Sequence, residues 1–356
     1  MVKVSLREIS HSYDGGKTWA VQNINLDFES GKQYSILGPS GCGKTTLLKI
    51  ICGLIKPTKG SVHFDDEDVT NYPPEKRNVA ITFQFPVVYK MTVLDNLLFP
   101  LINVKLPKDE KIKKAKEVAQ KLRIEHILKE PAHRLGPADR QRVAIGRALI
   151  RDAKIILLDE PISSIEPDKK YEIKKLLLEI GKDLRKTMIF VTHDQTEALT
   201  FGEKIAVMSP NGRLLQFGSF NEIYYKPANE FVGFFIGFPG MNVIEATLDG
   251  DVLNLGPCKI RIRRIRELPL KQGLRLKVGI RPEHVRVLTT SQEGYIPFKL
   301  IYVEDLGRGK SIIHLQNENL IIKATYENEL PVGSQVWVKF PEEYLNFFDE
   351  SGQRIV

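Results

Sequence analysis

Apolar positions divide the chain into two unlike parts. Near the start, Val2, Val4 and Leu6 alternate with polar residues, and Ile24, Leu26 and Phe28 do so again. That is the period of strands with one buried face. An antiparallel edge is therefore expected within residues 3–36. Gln33-Tyr34-Ser35-Ile36-Leu37 and Val79-Ala80-Ile81-Thr82-Phe83-Gln84 are more continuous runs. Ile155-Ile156-Leu157-Leu158 and Met188-Ile189-Phe190-Val191 are wholly apolar, as strands buried on both faces of a parallel sheet require. Between the runs the period changes to that of helices. Leu47, Leu48, Ile50 and Ile51 follow the first. Ile112, Ala115, Val118, Ala119 and Leu122 line one face of the charge-rich stretch Lys108 to Leu128, and Val143 to Leu149 continues the pattern. Residues from about 92 to 150 thus read as a helical insertion on an α/β core. Past Phe231 to Pro239 the helical pattern stops. Runs such as Ile312-Ile313-His314-Leu315 and Val336-Trp337-Val338-Lys339-Phe340 recur between Gly, Pro and Asn turns, the pattern of a small all-β barrel. The expected division is an α/β domain over residues 1–235 and a β-barrel domain over 236–356.

Composition narrows this only a little. The 356 residues are 42% hydrophobic and 27% charged, as in ordinary globular domains. No run approaches the roughly 18 apolar residues of a membrane-spanning helix. The opening Met1-Val2-Lys3-Val4-Ser5 enters a strand directly, so no signal peptide is expected. Three cysteines without metal-ligand spacing suit a reducing cytosol. The net charge of +8 raises nucleic acid or an anionic membrane face as a partner, but the basic residues are mostly dispersed. Their densest cluster, Lys259-Ile260-Arg261-Ile262-Arg263, alternates with isoleucine and lacks stacking aromatics. It reads as one strand with a solvated face, and no nucleic-acid partner is expected.

Gly38-Pro39-Ser40-Gly41-Cys42-Gly43-Lys44-Thr45-Thr46 fits G-x-x-x-x-G-K-[ST] and lies between a predicted strand and a predicted helix. Glycines there let several backbone N–H groups face one anion, and the helix N-terminus adds its dipole. Lys44 is placed to reach β- and γ-phosphates and Thr45 to hold Mg²⁺. Asp159 and Glu160 follow the Ile155 run, at the strand end where open α/β sheets bind ligands. Asp159 is expected to orient Mg²⁺ through water, and Glu160 to polarise the attacking water. His193 ends the Met188 run and could reach a γ-phosphate. Gln84 ends the Val79 run. Tyr13, in the turn His11 to Gly16, could stack on a purine ring.

Phosphate loop, Gln84, Asp159-Glu160 and His193 stand in an order that resembles the ATP-binding-cassette (ABC) ATPases over about residues 1–235. The resemblance implies a P-loop NTPase fold using ATP and Mg²⁺. It makes Tyr13 the adenine-stacking aromatic, and Gln84 the residue that senses Mg²⁺ and the attacking water and links the site to membrane subunits. Glu160 becomes the catalytic glutamate and His193 the switch histidine. Gly240-Met241-Asn242, Gly279-Ile280-Arg281-Pro282-Glu283-His284 and Phe348-Asp349-Glu350-Ser351-Gly352 resemble the C-terminal, OB-like domain of maltose-type importer ATPases, which has relatives in ATPases for glycerol 3-phosphate, polyamines, iron and sulfate. That implies a peripheral subunit on the cytoplasmic side of the membrane. It would serve transmembrane permeases and, indirectly, a solute-binding protein, for sugars or related solutes. Phe85-Pro86-Val87-Val88-Tyr89 is then either the groove for a permease helix or ordinary core.

Two segments depart from the family. Its signature L-S-G-G-Q is replaced by Leu135-Gly136-Pro137-Ala138-Asp139. Gly136 has no hydroxyl, Pro137 has no N–H, and neither Pro137 nor Ala138 takes positive φ without cost. Asp139 carries a carboxylate where a partner's γ-phosphate should dock. At about 6 Å the repulsion is on the order of 3 kcal/mol at an effective dielectric of about 20. The segment nevertheless suits a helix start, with Gly136 as cap and Pro137 in the first position. The family's S-x-L-D appears as Ser163-Ser164-Ile165-Glu166. Both altered loops serve the opposite site of a dimer, while residues serving this chain's own nucleotide are intact. The expectation is a heterodimer with a second ATPase subunit, one site hydrolytic and one degenerate. A slow homodimer and a mainly regulatory subunit are the alternatives.

Overall fold

The buried apolar runs assemble into one sheet. A computed structural model describes residues 2–163, 165–184, 186–262, 273–307 and 309–355. Six strands lie in the order Leu214–Gly218, Lys204–Met208, Gln33–Leu37, Thr187–Thr192, Ile155–Asp159 and Val79–Thr82. All but the first pairing are parallel. The carboxyl ends of Gln33–Leu37, Thr187–Thr192, Ile155–Asp159 and Val79–Thr82 therefore share one edge. Every residue of Ile155–Asp159 and of Thr187–Thr192 is buried, which explains their unbroken apolar sequences.

Pleating sends alternate residues to opposite cores. Ile155 and Leu157 join a core with Leu47, Leu48, Ile50 and Ile51 of helix Lys44–Ile51. The same core takes Val4, Leu6, Ile24, Leu26 and Phe28 from a four-stranded antiparallel sheet, the edge predicted from alternation. Ile156 and Leu158 face the other way, toward Val93, Ala115, Leu122 and Val143 of the helical insertion. That insertion contains helices Val93–Leu98, Lys108–Lys121 and Pro137–Ile150.

One buried cation fixes the far end of helix Lys44–Ile51. Arg77 donates to the carbonyls of Ile50 and Ile51 at 2.8 and 3.0 Å, and to those of Tyr72 and Thr70 at 3.0 and 2.9 Å. It thus satisfies last-turn carbonyls and complements the negative end of the dipole. Replacing it with methionine leaves those carbonyls unpaired, and about 2–4 kcal/mol of stability is expected to be lost. In urea, the unfolding transition of the unit containing Arg77 should move to lower concentration, with the other unit's transition unmoved. Equal shifts in both would contradict this assignment.

The chain separates into Met1–Phe220 and Asn221–Val356, earlier than the boundary expected at 235. Part of the reason is Arg281, whose guanidinium donates to the carbonyls of Tyr224 and Ile236 and lies 3.6 Å over the Tyr224 ring. It ties residues 224–236 to the strand Leu274–Ile280 that precedes it. The second unit is all-β apart from short helices. Its two five-stranded antiparallel sheets share one apolar core. The Asn242 side chain bonds the Ile280 carbonyl and both the N–H and carbonyl of Lys323, joining the sheets. A side chain on Gly279 would meet Met241 Sδ at 2.5 Å. These contacts give a structural reason for the Gly240-Met241-Asn242 and Gly279-Ile280-Arg281 segments. Lys259–Arg261 forms the predicted strand; Arg263 lies outside the described residues.

Candidate functional site

The loop Gly38–Thr46 runs from strand Gln33–Leu37 into helix Lys44–Ile51. Its tight curl needs glycine at Gly41 and Gly43, with φ of 80° and 91°. A Cβ on Gly43 would also stand 2.1 Å from the Ala20 carbonyl oxygen. Lys44 is buried and its Nζ donates to the carbonyls of Gly38 and Pro39, both at 2.8 Å. Cys42 Sγ lies 3.9 Å from that ammonium, and burial raises its thiol pKa above the ordinary value. Ser40 is exposed on the loop. Tyr13 is 64% exposed, and its hydroxyl lies 3.1 Å from Thr46 Oγ1. Its ring meets His11 edge-on at 4.6 Å.

The next strands along the sheet bring the remaining residues together. Burial raises the Asp159 carboxyl pKa, neighbouring Glu160 adds to the rise, and the nearby Thr45 hydroxyl opposes it. Asp159 Oδ1 is buried with no hydrogen-bond partner among the described residues. A buried acceptor of this kind needs a donor, and the water shell of a divalent cation would supply one. Thr45 and Asp159 therefore fit Mg²⁺. Glu160 has φ of 44°, in the left-handed region where a non-glycine residue is strained. Its N–H donates to the Val191 carbonyl at 2.9 Å. Its carboxylate accepts from Gln84 Nε2 at 3.0 Å and lies 3.1 Å from His193 Nδ1. Glu160 is largely buried, at 13% side-chain exposure, while His193 is 49% exposed.

At the altered signature, Gly136 caps helix Pro137–Ile150 with φ of −66° and Pro137 takes the first position. No residue from 136 to 139 has positive φ, so the strain expected for Pro137 and Ala138 does not arise here. Ala138 is buried. Asp139 lies 3.5 Å from Arg142, which also bonds Glu172 at 2.8 Å. Its charge is thus partly compensated, and the repulsion expected from an isolated carboxylate is smaller. Ser163 Oγ donates to the Glu160 carbonyl at 3.1 Å, and Glu166 pairs with Lys169 at 3.1 Å. Ser164 lies outside the described residues.

The family model described as ABC transporter matches residues 21–163. The sn-glycerol-3-phosphate import ATP-binding protein UgpC of Yersinia pestis is 36% identical over 364 aligned positions, covering 100% of this chain and 99% of its own. This chain belongs to the ABC transporter ATP-binding family. UgpC of Escherichia coli (strain K12) is 34% identical, with 100% of both chains covered. Among solved structures, cbiO1 of Clostridium perfringens is 31% identical with a TM-score of 0.57, over 62% of this chain and 89% of that one. A dimeric cassette in a post-hydrolysis state, bound to ADP and Pi, gives 31% and 0.55, over 61% and 98%. As a member of the ABC family the chain binds ATP with Mg²⁺ and hydrolyses ATP in support of transport. It acts as a peripheral subunit on the cytoplasmic face, with transmembrane permease subunits.

Several residues at this ABC site carry no motif in the sequence. Asp14 organises the Tyr13 loop through Thr18 and Ser12, and these bonds lower its pKa to about 2. Glu197 is buried and bonds Thr192 Oγ1, which in turn accepts from the Asp194 N–H, fixing the turn around His193. Phe85 and Val87 are 71% and 67% exposed, while Val88 of the same stretch packs against the core. Phe85 and Val87 border a cavity of about 510 Å³ that includes Tyr89, Phe99 and Arg147. Arg147 lies 4.3 Å from the Tyr89 ring centre and donates to the Val87 carbonyl at 2.7 Å. The family resemblance pointed to Phe85–Tyr89, and nothing in the sequence pointed to Phe99 or Arg147.

Proposed function

We propose that the chain is the ATPase of an importer for a glycerol-3-phosphate- or sugar-type solute, paired with a second, different ATPase subunit. The observation that carries the hydrolytic role is the Gln84–Glu160–His193 cluster beside the phosphate loop. Lys44 exchanges backbone carbonyls for β- and γ-phosphate oxygens. Thr45 and Asp159 would hold the cation, and Gln84, bonded to Glu160, would sense it. Mg²⁺ held there would supply positive charge to offset that of the phosphates. Glu160 takes the proton of the attacking water, while His193 orients Glu160 and reaches toward the γ-phosphate. The solute class rests on the full-length similarity to the UgpC proteins.

Tyr13 stacks on adenine in this reading. Its ring, not its hydroxyl, should then support affinity. Tyr13→Phe is expected to bind ATP almost normally, and Tyr13→Ala about tenfold more weakly, from stacking worth about 1–3 kcal/mol. Equal losses in the two variants would assign the effect to the Thr46 contact instead. The exposed groove at Phe85 and Val87 receives a permease helix.

The heterodimer rests on the partition of alterations. Gly136 to Asp139 lacks the serine hydroxyl and, at Pro137, one of the N–H groups that grip a partner's γ-phosphate, whereas this chain's own nucleotide residues are present. Purification of the native complex is expected to yield two different ATPase chains in equal amounts. Recovery of this chain as the complex's only ATPase would refute the pairing and leave the hydrolytic reading intact.

A further inference from the structure

The two sheets of the second unit each end in an edge strand that borders the same cavity. Lys259–Arg261 is the outer strand of one sheet and Arg286–Leu288 the outer strand of the other. The cavity, of about 540 Å³, is lined by Lys259, Arg261, Arg286 and Lys339, with Tyr295 and Phe340. Phe340 is buried and supplies an apolar floor, while the four cations are exposed.

The placement of these cations is unfavourable for folding alone. Arg286 and Lys339 stand directly opposite each other in register. Like charges at such a position repel across the strand pair. Lys259 and Arg261, two residues apart, add like charge from the facing edge. Compensation is partial. Arg261 lies 3.1 Å from Asp251, and Arg286 only 3.7 Å from Glu343. Among the described residues no ion pair holds Lys259, and Lys339 is 5.7 Å from the centre of the Tyr295 ring. Edge strands also leave backbone N–H groups on their outer side available to a ligand. An arginine fork suits phosphate, and lysine adds a point charge. The Tyr295 face suits the C–H face of a sugar ring, and Glu342, also on the lining, can accept from hydroxyls.

We propose that this cavity is a regulatory site for a small phosphate monoester on a polyhydroxyl body, such as a sugar phosphate. It lies wholly within the second unit and is built from residues other than those assigned to ATP. The phosphate neutralises the Arg286–Lys339 pair, and the polyol body lies against Tyr295 over Phe340.

The test is calorimetric titration of the full chain with glucose 6-phosphate, inorganic phosphate and glucose. Because the ATP loop also binds phosphate groups, Lys44→Ala serves as the control. Saturable binding of glucose 6-phosphate is expected in the wild type and in Lys44→Ala. It should weaken at least tenfold in Arg286→Glu and in the milder Lys339→Gln. Glucose should not bind, and inorganic phosphate should bind more weakly. The proposal is overturned by no binding to the wild type, by loss of binding in Lys44→Ala, or by affinities unchanged in both cavity variants. Inorganic phosphate binding as tightly as the ester overturns it as well. So does binding to phosphatidylglycerol vesicles without binding to the soluble ester.

Discussion

Glu160→Gln in the native complex is expected to lower ATP turnover by about 10²- to 10⁴-fold while leaving ATP binding in place. The substitution removes the basic oxygen but keeps the size and shape of the side chain. An amide can still bond Gln84 and His193, which lie 3.0 and 3.1 Å from the carboxylate. The backbone tie to Val191 is also untouched. The loss corresponds to about 3–5 kcal/mol of barrier and falls on the chemical step alone. Phosphate release and binding of a fluorescent ATP analogue should therefore diverge. Turnover within twofold of the wild type would mean that this chain is a regulatory partner and that hydrolysis occurs elsewhere.

Restoring the signature is the second large effect. Changing Gly136→Ser, Pro137→Gly, Ala138→Gly and Asp139→Gln together should raise phosphate release by the isolated chain at least tenfold, from two or more regained donor contacts to phosphate. The structure accommodates the change. A Cβ at Gly136 meets nothing within 4 Å, and Pro137 is exposed. The cost is helix propensity, about 1 kcal/mol for each glycine placed inside the helix. Arg142 loses one partner but keeps Glu172. In the mixed complex the same change should alter turnover little, because the hydrolytic site there uses the other subunit's signature. If the unmodified chain alone already matches the mixed complex, the asymmetric reading fails.

How far the sequence could be read follows from how local each signal is. The phosphate loop and the buried strands lie within short contiguous runs, so their period and composition reveal them. The meeting of Gln84, Glu160 and His193 depends on sheet order. Strand Thr187–Thr192 lies between Gln33–Leu37 and Ile155–Asp159, and no local pattern dictates that order. Arg77 and Arg281 were illegible for a similar reason. An arginine in sequence gives no sign that it will be buried against carbonyls far along the chain. The signature showed the opposite limit. Residue types alone suggested strain and a bare carboxylate. The negative φ values from 136 to 139 and the Arg142 contact removed most of the first and part of the second.

Arg281 has a practical consequence for dissecting the gene. A C-terminal fragment that begins at residue 236 lacks Tyr224, and with it the carbonyl that accepts two of the guanidinium's hydrogen bonds and the ring beneath it. It would leave the guanidinium with the Ile236 carbonyl as its remaining protein acceptor of these three bonds and open its surroundings to water. A fragment that begins at Asn221 keeps both. Soluble expression of the second unit on its own should therefore depend on fifteen or so residues that belong, by sequence pattern, to its neighbour.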